Sequence, residues 1–294
     1  MALPDLVREH CAHVAAHAQD VRIDLGALSR LDPGPMPELD PEAHWIDGPE
    51  DQVALGLLTL DAINFGSGWF PTLHKRRRRD GTEMSGYFTV AHGLADRFRA
   101  SGPWSPRQLR AVTADEVAAT LGQPRDHELM ALFAQALRQL GTWLGERSAL
   151  DVVCECGLSA VRLAEALAGG MAMWDDTGFW KRAQIAGSDL QLAGVPLREV
   201  DRLTIFADNL VPHVLRCEGV LVYSDALAAH IDGGATLPMD RREREVRACA
   251  VHACVQLAQR LGTTERDLDN ALWALGQRPE YKARPRHRTR CVWY

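Results

Sequence analysis

Two long stretches of this chain repeat apolar residues at steps of three and four, a period that commits them to helices with one face on a core. Leu129, Leu132, Phe133, Ala136, Leu137, Leu140, Trp143 and Leu144 form the first stripe. Val246, Cys249, Ala250, Ala253, Cys254, Leu257, Ala258 and Leu261 form the second. Local punctuation points the same way. Thr113-Ala-Asp-Glu116 is a capping-box pattern, Thr264-Glu-Arg-Asp267 is a looser version, and Ser105-Pro106 places a cap before a proline in the first turn. Gly102, Gly169-Gly170 and Gly262 supply stop signals. The spacing predicts helices over 4–20, 50–64, 85–101, 105–111, 113–121, 126–146, 157–169, 178–192, 209–217, 223–231, 241–261 and 264–275. Strand signals are few: Leu203–Phe206 and Leu150–Cys154 are short apolar runs that read as strands or as buried turns. No internal repeat and no Ser/Gly-rich linker divides the chain. The expected fold is all-α, a single mainly helical domain over 1–294 in one or two lobes.

The sequence has 294 residues, 46% of them hydrophobic and 24% charged, which is the balance of a globular protein with a sizeable core. A formal net charge of −6 argues against sequence-blind binding to nucleic acid or to an anionic membrane. No apolar run is long enough for a bilayer, and Met1-Ala2-Leu3-Pro4-Asp5 lacks the basic and apolar regions of a signal peptide, so a cytoplasmic location is expected. The seven cysteines are scattered without a CxxC pair and read as reduced thiols, with Cys249 and Cys254 as core packing.

Walker A, GxGxxG, HExxH and GxSxG patterns are all absent. Asp208 follows the apolar residues Leu203, Ile205 and Phe206 and precedes a helix opened by Pro212. Two readings stand: a helix N-cap, or a shielded carboxylate able to stabilise a developing positive charge. His10, His13 and His17 have metal-ligand spacing, but no carboxylate or cysteine cluster completes a site, and Cys249-x-x-His252 meets the same objection, so no metal is expected. Lys75-Arg76-Arg77-Arg78-Arg79 reads first as a solvated loop and second as an anion guide. Lys282, Arg284, Arg286, Arg288 and Arg290 surround His287 among Tyr281, Trp293 and Tyr294, which reads as an ordered tail open equally to phosphate binding and to solvation. Lys181 and Gln184 share a helical face behind Phe179 and Trp180, either as a snorkelling lysine or as an ammonium in an aromatic-walled pocket. Asn64-Phe65 leads through the Gly66-Ser67-Gly68 turn to Trp69 and Phe70, aromatics that either anchor a loop or stack on a base. Glu243 and Glu245 lie early in a helix, where acids suit the dipole, and Asp189 reads as solvent-facing unless a ligand claims it.

Six ordered segments carry a resemblance: Phe179-Trp-Lys-Arg-Ala-Gln-Ile185, Thr204-Ile-Phe-Ala-Asp208, Val211-Pro212, Gly219-Val-Leu-Val-Tyr223, Glu243-Arg-Glu-Val-Arg247 and His287-Arg-Thr-Arg-Cys-Val-Trp-Tyr294. Together they resemble the queuosine salvage family, the queuosine 5′-phosphate N-glycosylases/hydrolases, from about residue 44 to the last and most densely after 178. The chain departs from the family where Asp-Tyr-Arg-x-Pro-Gln becomes Asp208-Asn209-Leu210-Val211-Pro212-His213, and where Gly66-Ser67-Gly68 interrupts the aromatics after Asn64-Phe65.

The resemblance implies an all-helical fold similar to helix-hairpin-helix DNA glycosylases. It implies hydrolysis of the bond between queuine and ribose 5-phosphate, with neither metal nor other cofactor. Asp208 becomes the catalytic carboxylate. Lys181 and the C-terminal cations become candidates for the 5′-phosphate, and Tyr281, Lys282, His287 and Arg288 are expected among the substrate contacts. Phe65, Trp180 and Gln184 are expected around the base, with Asp189, Glu245 and Glu243 on its edge or its cyclopentenediol. The expected partner is a small nucleotide, with no stable nucleic-acid complex and no membrane. Two rivals are a glycosylase that acts on a flipped base in DNA or RNA, and a helical module that binds a nucleotide without cleaving it.

Overall fold

The computed structural model describes residues 1–294, and helices account for nearly all of its regular structure. In chain order these are α1 (Leu3–Ala16), α2 (Leu25–Arg30), α3 (Glu50–Ala62), α4 (Gly86–Ser101), α5 (Pro106–Ala111), α6 (Ala114–Leu121), α7 (Glu128–Leu144), α8 (Ala149–Glu155), α9 (Ala160–Gly170), α10 (Lys181–Leu192), α11 (Val211–Cys217), α12 (Asp225–Asp232), α13 (Arg241–Leu261), α14 (Glu265–Leu275) and α15 (Pro279–Lys282). The two apolar stripes became α7 and α13, whose stripe residues Phe133, Leu137, Leu140, Cys249, Ala253 and Leu257 are fully buried. Reciprocal capping boxes start α5 at Ser105/Gln108 and α6 at Thr113/Glu116. No helix is long and apolar enough to cross a membrane.

Several local expectations are corrected. Residues 150–154 are helical, because Ser148 and Asp151 close a third capping box and start α8. Leu203–Phe206 is extended but pairs with no strand. Its donors go to side chains instead, Thr204 N–H to Gln184 Oε1 at 3.0 Å and Phe206 N–H to Asp269 Oδ1 at 2.7 Å. The two strands lie elsewhere, β1 (Val21–Ile23) antiparallel to β2 (Leu221–Tyr223) with Val21 opposite Tyr223. α9 runs through Gly169 and Gly170 and ends at Met171, and α1 stops at Ala16 rather than at residue 20. α2 and α15 are too short to show a period and were not legible.

One continuous apolar core runs from Leu3 to Tyr281, so helices from distant parts of the sequence share it. α13 packs along α1, α10 packs on α9 and α3, and α14 packs on α11 and α13. The segment after α15 has no regular structure, yet the body grips it. Leu237 N–H donates to the Arg288 carbonyl at 2.8 Å, Gly66 N–H to the Tyr294 carbonyl at 3.0 Å, and an Arg182 guanidinium N–H to the Val292 carbonyl at 2.7 Å.

His213 fixes the start of that segment. Its Nε2 lies 2.7 Å from the Tyr281 carbonyl, and its Nδ1 is buried without a partner. Burial outweighs the Tyr281 hydrogen bond and holds the imidazole down at about 4, against 6.5 in an open chain. The unfolded chain therefore takes up a proton below pH 6.5 that the folded chain refuses until about pH 4. Stability conferred by the neutral ring is full above pH 6.5 and drains away as pH falls through that window, by at most about 1.4 kcal/mol per pH unit. His213→Gln is expected to flatten this acid-side loss, read as the difference in unfolding free energy between pH 7 and pH 5 by urea titration. An unchanged pH slope would refute the assignment.

Candidate active site

A cavity of about 310 Å³ opens where α10, α14, the loop after α3, the start of α4, the 203–210 segment and the C-terminal segment meet. α10 presents Lys181, Ile185, Asp189 and Leu192 along one face, and α14 presents Asp269 and Trp273 along another, with Gln277 just past its end. Steps of four keep each set on one side of its helix. Tyr87, Phe88 and Trp273 form an aromatic wall, with Trp273 meeting both partners edge-on at centroid distances of 5.4 and 5.6 Å.

Asp208 lies on the cavity wall, and it is not the N-cap of α11, a position that Leu210 takes. Its Oδ1 accepts Leu210 N–H at 2.6 Å and Val211 N–H at 3.4 Å, which tethers the start of α11. Its Oδ2 accepts no hydrogen bond from the protein and is left for the cavity. Phe65 and Asp189 also line this space.

Lys181 also lines the cavity. It is buried, and its Nζ donates to the Asn64 carbonyl at 3.1 Å. Burial pulls its pKa down, while the charges of Asp208, Asp61 and Asp269 pull it back up. Asp269 is buried beside Asp208. Loss of water and the Asp208 charge push it up to about 8, so it holds its proton at neutral pH. Asp61 lies under the floor with both oxygens buried and unpartnered. Burial, helped by nearby Asp189, raises its carboxyl well above the ordinary range.

A second recess of about 470 Å³ adjoins the first and shares Ser67, Phe70, Ser85, Asn209 and Arg286 with it. Lys75, Lys282, Arg284, Arg286 and Arg288 surround it, with Glu83 the one acid among them. The five-cation run is thus divided. Arg77 pairs with Glu83 at 2.9 Å, Arg76 pairs with Asp96, and Arg78 lies over the Phe88 ring at 5.6 Å. Lys75 turns into the recess, where burial and the charges of Arg286 and Arg288 bring it down to about 8.

The structure brings together Asp208, Phe65, Lys181 and Asp189 at the first cavity and Lys282 and Arg288 at the second. The other expected residues line neither. Trp180 stands at the N-terminus of α10 with φ 45°, and its indole N–H donates to Asp175 at 2.9 Å near a different surface hollow. Gln184 donates to Phe179 O and Thr204 Oγ1, both at 2.9 Å, and pins the 203–206 segment. Glu245 accepts the N–H groups of Gln19 and Asp20 at 3.0 and 2.7 Å and pairs with Arg241. Glu243 is buried against Arg247. The Tyr281 hydroxyl donates to Glu218, and its carbonyl serves His213. His287 is buried with its ring edge-on to Tyr294. Asp61, Asp269, Tyr87 and Trp273 were missing from the expected site, and Arg286 was expected as one of the C-terminal cations. Asp61 carried a readable signal, since it is the one charged residue within the buried apolar run Val53–Ala62 of α3.

The tail that supplies Arg286 and Tyr294 reaches the site only because Gly68 has no side chain. A Cβ there would lie 2.7 Å from the backbone of Thr289 and Arg290. Gly68→Ala is expected to cost about 1–3 kcal/mol of stability. It is also expected to expose the last residues to limited proteolysis before the body unfolds. A variant with wild-type melting and protease resistance would contradict this account of the tail.

Residues 45–294 match the family described as Queuosine salvage protein. The chain is 31% identical to the Queuosine 5′-phosphate N-glycosylase/hydrolase of Sphaerobacter thermophilus, over 96% of this chain and 95% of that protein. It is 27% identical to the protein of the same description from Mus musculus, over the full length of both. The Bos taurus protein of that description is also 27% identical, over 98% of each chain.

Proposed function

The chain belongs to the queuosine salvage protein family, and from that premise we propose that it hydrolyses the N-glycosidic bond of queuosine 5′-monophosphate and releases queuine. One observation carries the assignment of roles: the free oxygen of Asp208 lies on a cavity joined, through Arg286 and Asn209, to a recess ringed by cations. A nucleotide 5′-phosphate seated among Lys75, Lys282, Arg286 and Arg288 leaves its ribose at Asp208 and its base toward Tyr87 and Trp273.

Cleavage builds positive charge at the anomeric carbon. Asp208 answers that charge with its free oxygen, while Leu210 and Val211 hold the other oxygen in place. Queuine is a 7-deazaguanine and lacks the ring nitrogen that an acid usually protonates, so stabilisation of the sugar cation carries more of the barrier. Asp269 stays protonated beside Asp208, so its carboxyl adds no second charge there. Lys181 belongs with these carboxyls in this reading, and its ammonium offsets their charge. The phosphate falls to the recess, where charge-assisted bonds of about 1.5–3 kcal/mol each position the sugar.

Asp208→Asn is expected to fold with an unchanged melting temperature and to lose roughly 10²–10⁴-fold in kcat for queuine release, followed by mass spectrometry. Substantial turnover in that variant would move the chemistry to another residue. For the wild type, kcat/KM on queuosine 5′-monophosphate should exceed that on queuosine at least tenfold, and Arg286→Gln should shrink that ratio. Equal efficiency on both substrates would remove the phosphate from the recess.

A further inference from the structure

One backbone outlier stands directly beside the cavity. Trp180, the residue before Lys181, sits in the left-handed region at φ 45°, ψ 45° and is the N-cap of α10. A bulky side chain takes this conformation only where its surroundings enforce it. Trp180 N–H donates to the Asp176 carbonyl at 2.7 Å, and its own carbonyl accepts Gln184 N–H at 3.1 Å. The indole N–H is tied to Asp175 Oδ1 at 2.9 Å, and Thr177 Oγ1 donates to that same oxygen at 3.0 Å. The residue lines a hollow of about 480 Å³ with Leu3, Leu6 and Met171, and that hollow shares no residue with the cavity. The two neighbours of Trp180 have separate duties. The Phe179 ring covers the Arg247 guanidinium at 3.9 Å, and the Phe179 carbonyl accepts Gln184 Nε2 at 2.9 Å. Lys181 lines the cavity and donates to the Asn64 carbonyl at 3.1 Å. The other two non-glycine residues at positive φ, Leu158 and Glu199, line no part of the cavity.

We propose that Trp180 is a positioning residue: its left-handed backbone aims Lys181 into the cavity, and its indole, anchored outside, keeps that backbone from relaxing. The inference rests on the catalytic reading given above, in which the Lys181 ammonium offsets the charge around Asp208. In the right-handed region residue 180 would be wound into α10 as one more helical residue, and the chain would enter the helix from another direction. Phe179 is pinned by Arg247 and Gln184, so the change falls on the first turn of α10, where Lys181 is the first residue. A displacement of about 1 Å there takes the ammonium out of hydrogen-bond reach of the Asn64 carbonyl and alters its distance to Asp208. The indole thus acts on the reaction through the backbone and not by touching the substrate. That role accounts for a residue expected beside the base lying on a separate hollow.

The test compares Trp180→Gly with Trp180→Ala. Both delete the indole, and only glycine holds φ near 45° without steric cost. On queuosine 5′-monophosphate, Trp180→Gly is expected to keep kcat within about fivefold of the wild type. Trp180→Ala is expected to fall roughly twentyfold or more below Trp180→Gly, with KM within about threefold in both. The effect has to pass through Lys181. Lys181→Met is therefore expected to lower kcat by itself, and Trp180→Ala added to Lys181→Met is expected to cost less than about twofold more. Equal kcat in Trp180→Gly and Trp180→Ala would overturn the proposal. So would losses that multiply in the double variant, which is the outcome of a purely structural role. A wild type that releases no queuine would instead overturn the assigned activity. If Trp180→Ala does not fold, as judged by thermal melting, Trp180→Asn against Trp180→Ser decides, because asparagine enters the left-handed region more readily. A kcat for Trp180→Ser equal to or above that of Trp180→Asn would then overturn the proposal.

Discussion

The buried guanidinium of Arg247 is the contact on which the geometry of the site depends. It comes from α13, pairs with Asp176 at 2.5 Å and donates through Nε to the Ala207 carbonyl at 2.8 Å. Its two faces are covered by Phe179 at 3.9 Å and Tyr294 at 4.4 Å. One side chain thereby joins the turn before α10, the residue preceding Asp208 and the last residue of the sequence. A planar cation with a rigid fork of donors suits this task, and a flexible ammonium would not fix three segments at once. Removing one member of such a pair strands the other without water. Arg182 repeats the device on the opposite side, bonding the carbonyls at the end of α3 and that of Val292 while stacking on Phe65 and Trp174.

With the walls held this way, the carboxyls differ by their surroundings. Asp208 keeps one oxygen on backbone donors and the other on the cavity. Asp269 has only one backbone donor and more burial, and it retains its proton. Asp61 has no donor within hydrogen-bond geometry and is raised in the same direction. Asp269 and Asp61 are thus set apart by raised pKa values beside a single ammonium, that of Lys181. The separation follows from burial and hydrogen-bond supply, which decide the protonation state of a carboxyl more strongly than its identity does.

Much of this architecture could be read from local rules. Caps at Ser105 and Thr113 and the stripes of α7 and α13 depend on a few neighbouring residues, and those elements formed as expected. The site was legible only where local order also placed a residue on the cavity, as at Asp208 between an apolar run and a proline. Lys181 and Gln184 share a face in sequence terms, but three residues leave them roughly 60° apart around a helix. That angle sends Lys181, with Ile185 and Asp189, to the cavity and Gln184 to Thr204. Glu245 and His287 look like ligand contacts by composition and are consumed by the packing of α13 and of the tail. Asp269 and Trp273 were hidden because a helix with charged and apolar faces does not announce which charged residue turns inward.

The tail explains why a cationic segment in an acidic protein resists being read as solvated surface. Lys282, Arg284, Arg286 and Arg288 line the recess together with Ala283 and Pro285, and beyond Arg286 the alternate residues His287, Thr289 and Cys291 are buried in the body. From Arg286 to Cys291 more exposed and buried side chains alternate, as they do on the two sides of a strand, without a sheet. The body supplies the missing bonds through Leu237, Arg182 and Gly66. Because like charges held this close repel one another, the arrangement stores a preference for an anion in the recess. That preference is kept only while the buried residues between the cations stay anchored, so on the proposed function docking of the tail and affinity for the phosphate are one property of the fold.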